Sequence, residues 1–273
     1  MENNKKIMIA VIFVSIAGVI LFQNIPRTAN DYYRRGLDNY NKGNYERAIE
    51  NYSRAIQING NFFNAYSSRA EAYSKIGNKV NAIADYTTMI RLNPNDSGAY
   101  STRAHLYRDQ GDLNRAIADF SQVINLSSDE LRLGIAYRGR GEAYFEQGDF
   151  NRAIADYIEY LNIFPDSEEI RENLRIARYN QTQSEIAGYT EAIRRNPNNA
   201  DAYFRRGYVH YMNIAHIDIS NLNEFQRTLV GMLMSVDLDQ AISDWEMTLR
   251  LNPNHREARD LLARARALRR SFP

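Results

Sequence analysis

Cysteine is absent from the 273 residues, which excludes disulfide staples, thiolate-ligated zinc, iron–sulfur clusters and a cysteine nucleophile. Proline numbers only six, so little in the composition interrupts long helices. Neither sign of charge is in excess, with 34 Lys plus Arg against 33 Asp plus Glu. A chain with no net field draws no polyanion, and a nucleic-acid partner is not expected. Histidines number four, and His210 and His216, six apart, fall on different faces of a helix, so no shared metal is expected. No Gly-x-Ser-x-Gly, phosphate loop or His-Glu-x-x-His occurs. Gly139 and Gly141 stand in helical text, without the strand and turn that dinucleotide binding needs. Catalysis, a cofactor and a small-molecule substrate are therefore not expected. What the chain does have is 44% hydrophobic residues and 19 tyrosines, enough to bury an aromatic-rich core.

Long apolar runs are missing except for one. Ile7 to Phe22 reads IMIAVIFVSIAGVILF, preceded by Lys5 and Lys6. At about 1.5 Å per residue the run extends about 24 Å, and carrying it to Ile25 approaches the thickness of a hydrocarbon core. Residues 1–28 therefore read as an N-terminal transmembrane anchor with a short linker. A cleaved signal peptide is the alternative, but Ser15-Ile16-Ala17 lies inside the run and Arg27 spoils the next small-residue exit. Lys5 and Lys6 place the N-terminus in the cytoplasm and the remainder on the opposite side; Arg34 and Arg35 weaken that bias.

The remainder repeats. Aromatics recur at Tyr52, Tyr86, Phe120, Tyr157, Tyr189 and Trp245, with spacings of 34, 34, 37, 32 and 56 residues. Four residues earlier stand Ala48, Ala82, Ala116, Ala153, Glu185 and Ala241; eight later stand Gly60, Pro94, Ser128, Pro165, Pro197 and Pro253. Most units open with an aromatic (Tyr32, Tyr66, Tyr100, Tyr137, Tyr203) followed four residues on by Gly36, Ala70, Ala104, Gly141 or Gly207. Small residues admit close helix approach, aromatics fill the gaps, and Gly43, Gly77, Gly111 and Gly148 suit a left-handed turn between two helices. Each unit is thus a helical hairpin that buries its apolar face only by stacking on the next.

The segment Ala65 to Asn95, AYSSRAEAYSKIGNKVNAIADYTTMIRLNPN, resembles a tetratricopeptide repeat at every marker position. The resemblance covers 29–255 and implies an all-α solenoid of about six hairpins in a right-handed superhelix. Their spans are 29–62, 63–96, 97–130, 134–167, a degenerate 166–199 and 200–255. It also implies that exposed first-helix residues line a concave groove for a protein or peptide: Tyr33, Leu37, Tyr40 and Asn41 at one end; Glu71, Lys75, His105, Arg108, Arg138, Glu142 and Phe145 centrally; Phe204, Tyr208 and Tyr211 at the other. Any of the tyrosines can instead pack between repeats. Chaperone-binding members of the family grip a terminal carboxylate with Lys, Asn and Arg; the corresponding positions here hold Tyr33, Leu37, Ser68, Gly98 and Thr102, which cannot. Kinship with other anchored members implies a scaffold or assembly factor at a membrane, with a partner that is itself membrane-bound in one reading.

Superposing the units brings out an Arg in the first helix and an Asp in the second: Arg69 and Asp85, Arg103 and Asp119, Arg140 and Asp156, Arg206 and Asp244. They are expected to form structural ion pairs within each hairpin. The first unit has Arg35 with Asn51, and the fifth has Glu172 with Gly188. The sixth carries a 22-residue insertion near 214–236 with Leu222, Phe225, Leu229, Leu233 and Val236 at helical spacing, which lengthens the helices, adds one, or docks a partner or membrane. Residues 256–273 hold a basic helix with Ala258, Leu261, Leu262, Ala265 and Leu268 on one side, a terminal cap whose arginines face water or anionic lipid.

Overall fold

The computed structural model describes residues 28–215 and 224–270. The anchor segment 1–27, Leu222, and the side chains of Phe225, Leu229 and Leu233 lie outside the described residues. Twelve helices and no strand are described: α1 Ala29–Asn41, α2 Tyr45–Ile58, α3 Phe63–Lys75, α4 Lys79–Leu92, α5 Ser97–Asp109, α6 Leu113–Leu126, α7 Glu130–Glu146, α8 Phe150–Ile163, α9 Glu168–Arg195, α10 Ala200–Ala215, α11 Glu224–Leu251 and α12 Arg256–Arg269. None of them is long and apolar enough to cross a membrane.

The turns follow from two adjacent residues. Gly43, Gly77, Gly111 and Gly148 take φ between +76° and +79°, a region that costs an L residue about 1–2 kcal/mol. Past each glycine the chain closes back on the helix it leaves: Asn44, Asn78 and Asp112 donate their N–H to the carbonyls of Asn39, Tyr73 and Tyr107 at 2.8–2.9 Å. The same residue then starts the next helix, since the Asn78 and Asp112 side chains accept from the N–H groups of Asn81 and Arg115 at 3.1 Å.

The helices form two units, one of residues 28–147 with 162–165 and one of 148–161 with 166–270. In the first, α1 to α7 pair successively. Tyr52, Tyr86 and Phe120 are buried to 5% exposure or less, each among alanines of neighbouring helices. Gly36 has a specific reason: a Cβ there would sit 2.4 Å from the Tyr52 ring. In the second unit Trp245 and Leu238 centre a core shared by α10, α11 and α12.

The fifth hairpin and the start of the fourth repeat need correction. The fifth unit is not a hairpin: α9 is one continuous helix of 28 residues. The turn position there is Asn180-Gln181 instead of Gly-Asn or Gly-Asp, so neither the left-handed residue nor the cap exists. In the sixth, where lengthened helices are one of the expected outcomes, the described part of the insertion, 224–236, lies in α11, which also runs for 28 residues, through Val236 where the glycine would be. Val236 itself is 59% exposed; the contacts of α11 with the core run instead through Val230, Met234, Leu238, Ala241 and Trp245. The fourth repeat begins at Glu130, before the expected 134.

Candidate partner-binding site

The arginines of the repeat hold the face-forming helices in place. Arg69 donates from Nε and Nη2 to both oxygens of Asp85, at 2.9 and 2.7 Å. Arg103 does the same to Asp119 at 2.7 and 2.8 Å, and Arg206 to Asp244 at 2.9 and 2.7 Å. Asp85, Asp119, Asp156 and Asp244 are all buried. The carboxylate hydrogen bonds hold the Arg103 and Arg206 guanidinium groups above their ordinary proton affinity, against burial. In the first repeat Asn51 turns back to donate to the Arg47 carbonyl, and Arg35 is exposed. In α9, Glu172 pairs along its own helix with Arg175 at 2.8 Å.

Each arginine has a further partner that pattern reading missed. Nη1 of Arg69, Arg103, Arg140 and Arg206 donates to Ser53, Thr87, Ser121 and Thr190, at 2.9 to 3.0 Å, on the second helix of the preceding repeat. The signal was available: a hydroxyl residue directly follows the second-helix aromatic wherever the next unit has its Arg. Ile158 stands there before Glu172, so donor and acceptor vanish together. One guanidinium therefore ties three helices, and it also rests over flanking tyrosine rings, as Arg103 does at 5.7 Å from Tyr100 and 5.6 Å from Tyr107.

The expected groove residues of the first unit divide into packed and available. Tyr33 stacks on Tyr52 and Phe62, at 5.7 and 5.0 Å between centroids, and its hydroxyl meets Ser68 Oγ at 3.4 Å. Leu37 and Tyr40 also pack on the Tyr52 cluster. These three serve the first hairpin's core and present only part of their surface. Glu71 and Lys75 are exposed on α3, as is Asn41 at the end of α1. His105, Arg108, Arg138 and Glu142 form one cluster between α5 and α7. Glu142 accepts from Arg108 and, at 2.9 Å, from Arg138, while Arg108 lies 4.0 Å from Glu146. His105 stands edge-on to Phe120 at 4.9 Å; its burial, then Arg108, holds the imidazole below its ordinary proton affinity. Phe145 on α7 is half-buried.

In the second unit, Phe204 and Tyr211 belong to the core. Tyr211 packs on Trp245 at 5.5 Å and Phe204 on His255 at 4.4 Å, and the Phe204 carbonyl accepts from Trp245 Nε1 at 3.2 Å. Tyr208 is 41% exposed and lines a cleft between α9 and α10. His210 and Asn213 both engage Asp237 of α11, at 2.8 and 2.7 Å. Helix α12 buries Ala258, Leu262 and Ala265, and its Arg266 and Arg269 pair with Glu246 and Asp239 of α11.

These hairpins find matches among known proteins. Tetratricopeptide repeat family models match residues 30–77, 63–96 and 96–166, a continuous stretch covering half of the chain. A solved structure described as the second such domain of Spaghetti (RPAP3) bound to an HSP90 peptide is 36% identical; the match covers 37% of this chain and 94% of that one, with a TM-score of 0.35. The corresponding human RPAP3 domain, in complex with an HSP70 peptide, is 32% identical over 41% and 91%, with a TM-score of 0.37. A tetratricopeptide repeat protein from Parabacteroides merdae covers 87% of this chain and 98% of its own at 16% identity, with a TM-score of 0.51. No curated protein matches. With its glycine turns, buried second-helix aromatics and family matches from residue 30 to 166, the chain belongs to the tetratricopeptide repeat family, a family of protein–protein interaction scaffolds.

Proposed function

We propose that the chain is a membrane-anchored, non-catalytic scaffold that holds a protein or peptide segment against the first-helix face of its N-terminal unit. The observation carrying this is the cluster of His105, Arg108, Arg138 and Glu142, with Glu71 and Lys75 exposed on α3: side chains of both signs, all on first helices. Mixed charge of this kind selects register and partner more than it adds affinity. The half-buried Tyr33, Tyr40 and Phe145 supply apolar contact at its ends. A terminal-carboxylate grip is not part of the proposal, since Leu37, Ser68 and Thr102 offer no cation. Anchoring rests on the Ile7–Phe22 run alone, and orientation on Lys5 and Lys6, which put the repeats on the side opposite the cytoplasm.

The test is crosslinking of the full chain in its native membranes, capture through a C-terminal tag, and mass spectrometry of bait and partners. An intact N-terminus in the membrane fraction, with partners lost on Glu71→Lys with Arg108→Glu, is expected. A trimmed, soluble bait would retire the anchor in favour of a secreted or periplasmic module. Partners indifferent to those substitutions would retire the groove.

A further inference from the structure

Four of the loops that end a repeat are built alike. Asn59, Asn93, Asn196 and Asn252 each stand seven residues after the repeat's second aromatic, and each side-chain Oδ1 accepts the N–H two residues on, at 3.1–3.3 Å. The first three share one backbone conformation, with φ between −131° and −139° and ψ between 91° and 95°. What differs is the next residue. Proline follows Asn93, Asn196 and Asn252, whereas Gly60 follows Asn59, in the one Asn-Gly pair of the chain.

That difference is chemical. The Cγ of an asparagine is a carboxamide carbon that the next residue's backbone nitrogen can attack, closing a five-membered ring. A proline nitrogen has no hydrogen to give up for this, while a glycine nitrogen has one and brings no side chain to obstruct it. Asn59, Gly60 and Asn61 are all exposed, and a Cβ added at Gly60 would meet nothing within 4 Å. Among the described residues the Gly60 N–H has no acceptor, and the Asn59 Nδ2, which must leave, donates to none. In the resting loop ψ of 95° turns the Gly60 nitrogen away from Cγ. Rotation about one bond of Asn59 brings them together. It disturbs three contacts: Asn61 N–H with Oδ1, Phe62 N–H with the Asn59 carbonyl at 3.1 Å, and the Tyr66 hydroxyl with the Gly60 carbonyl at 3.2 Å. That is a local opening of an exposed loop.

We propose that Asn59 is a site of spontaneous covalent modification, deamidating through attack by the Gly60 nitrogen. That nitrogen gives its proton to solvent base and bonds to Cγ; the Cγ–Nδ2 bond breaks and ammonia leaves. Water then opens the succinimide at either carbonyl, giving aspartate or isoaspartate. Nothing is oxidised or reduced, and the net exchange is water in for ammonia out. In isoaspartate the main chain runs through the side-chain carbons. The former Asn59 carbonyl, acceptor of the Phe62 N–H, becomes a free carboxylate just ahead of the Phe62 ring that stacks on Tyr33. The modification therefore acts on the joint between the first and second repeats. It depends on neither the anchor nor the first-helix groove.

The experiment incubates the full chain in mild detergent and heavy-oxygen water, at neutral and at mildly alkaline pH. Every asparagine is then mapped by digestion and mass spectrometry, with an isoaspartyl methyltransferase as the probe for the isomerised product. Circular dichroism checks the folding of wild type, Gly60→Pro and Pro94→Gly. In the folded wild type Asn59 is expected to convert at least about tenfold faster than any other asparagine, and faster still at the higher pH, with heavy oxygen in both products. Gly60→Pro should end the conversion, and Pro94→Gly should create a second site at Asn93. An intact Asn59, conversion only in the urea-unfolded chain, aspartate without isoaspartate, or conversion that survives Gly60→Pro would overturn the proposal. So would a folded Pro94→Gly chain in which Asn93 stays intact; if that variant does not fold, Gly60→Pro decides.

Discussion

The four turns built on Gly43, Gly77, Gly111 and Gly148 and the two places where that glycine is missing, Asn180 and Val236, share almost everything else. Both kinds of region carry the second-helix aromatic and a run of good helix formers. With glycine followed by Asn or Asp, the chain reverses and two helices of about thirteen residues result. Without it, the helix continues and reaches 28 residues in both cases. Helix propensity thus does not stop these helices; a single left-handed residue with a cap behind it does. One of the two straight regions, α9, also loses what the turn makes possible. In α9 Tyr189 is only half-buried, whereas Tyr52 and Phe120 are fully buried; Trp245 of α11 is also fully buried, in a core shared with α10 and α12.

The largest effects should come from breaking the ties that exist only where hairpins form. Arg103→Ala leaves Asp119 buried and unpaired, and should cost about 3–5 kcal/mol in urea unfolding. Glu172→Ala, at the same repeat position in α9, should change stability by less than about 0.5 kcal/mol. In a double-mutant cycle, Arg103→Ala with Asp119→Ala should cost less than the sum of the singles; strict additivity would mean that the two side chains are energetically independent.

The next effect has opposite signs in the two regions. Gly111→Ala forces an L residue to φ near +77° and should destabilise by about 1–2 kcal/mol. Gly188→Ala sits within α9 with open space around a new Cβ, and should stabilise by about 0.5–1 kcal/mol. Chemical denaturation of both variants decides this, and a loss at Gly188 would mean that α9 is less regular than a continuous helix.

Much of this contrast is legible in the sequence, but unevenly. The period, the two-helix unit and the turns follow from Gly, Ala and aromatic residues at fixed offsets, since each has one dominant structural use. The missing glycine at Asn180 was equally visible. Its consequence was not, because a degenerate hairpin and an uninterrupted helix differ by one residue's φ and leave Tyr189 and Pro197 at their repeat positions. Groove residues were legible only by position: Tyr33 and Phe204 occupy the same repeat position as Arg138, yet the first two pack on Phe62 and His255 while the third meets Glu142. What lies beside a side chain is set by the neighbouring repeat, and no offset within one repeat encodes it. The hydroxyls at Ser53, Thr87, Ser121 and Thr190 went unread for the same reason.

A smaller effect sharpens the comparison within the hairpins. The Tyr52 hydroxyl is buried with no hydrogen-bond partner, and burial pushes the phenol up to about 12. Tyr52→Phe removes an unpaired polar atom and should raise stability by about 0.5–1 kcal/mol. A folded value above the unfolded one makes this a contribution that is complete below pH about 10 and lost as pH rises toward 12. The variant should therefore also unfold less steeply in that window, and thermal melts from pH 9 to 12 measure it.

The smallest effect concerns the charged cluster that distinguishes the first unit. Burial, followed by Arg108, lowers the proton affinity of His105; Arg138 acts in the same sense, while Glu142 and Asp109 oppose it. The folded chain thus prefers neutral imidazole more than the unfolded chain does. The sign follows: the associated stability is present above the ordinary histidine value of about 6.5 and is lost as pH falls through the lower folded value. One proton bounds the slope at about 1.4 kcal/mol per pH unit. His105→Gln should flatten the stability profile between pH 7.5 and 5.5, in a range where carboxylates elsewhere remain ionised. The same substitution removes the edge-on contact with Phe120, so its cost at pH 7.5 measures packing and its change in slope measures the proton. An unchanged slope would mean that the proton uptake does not reside in the first-helix cluster.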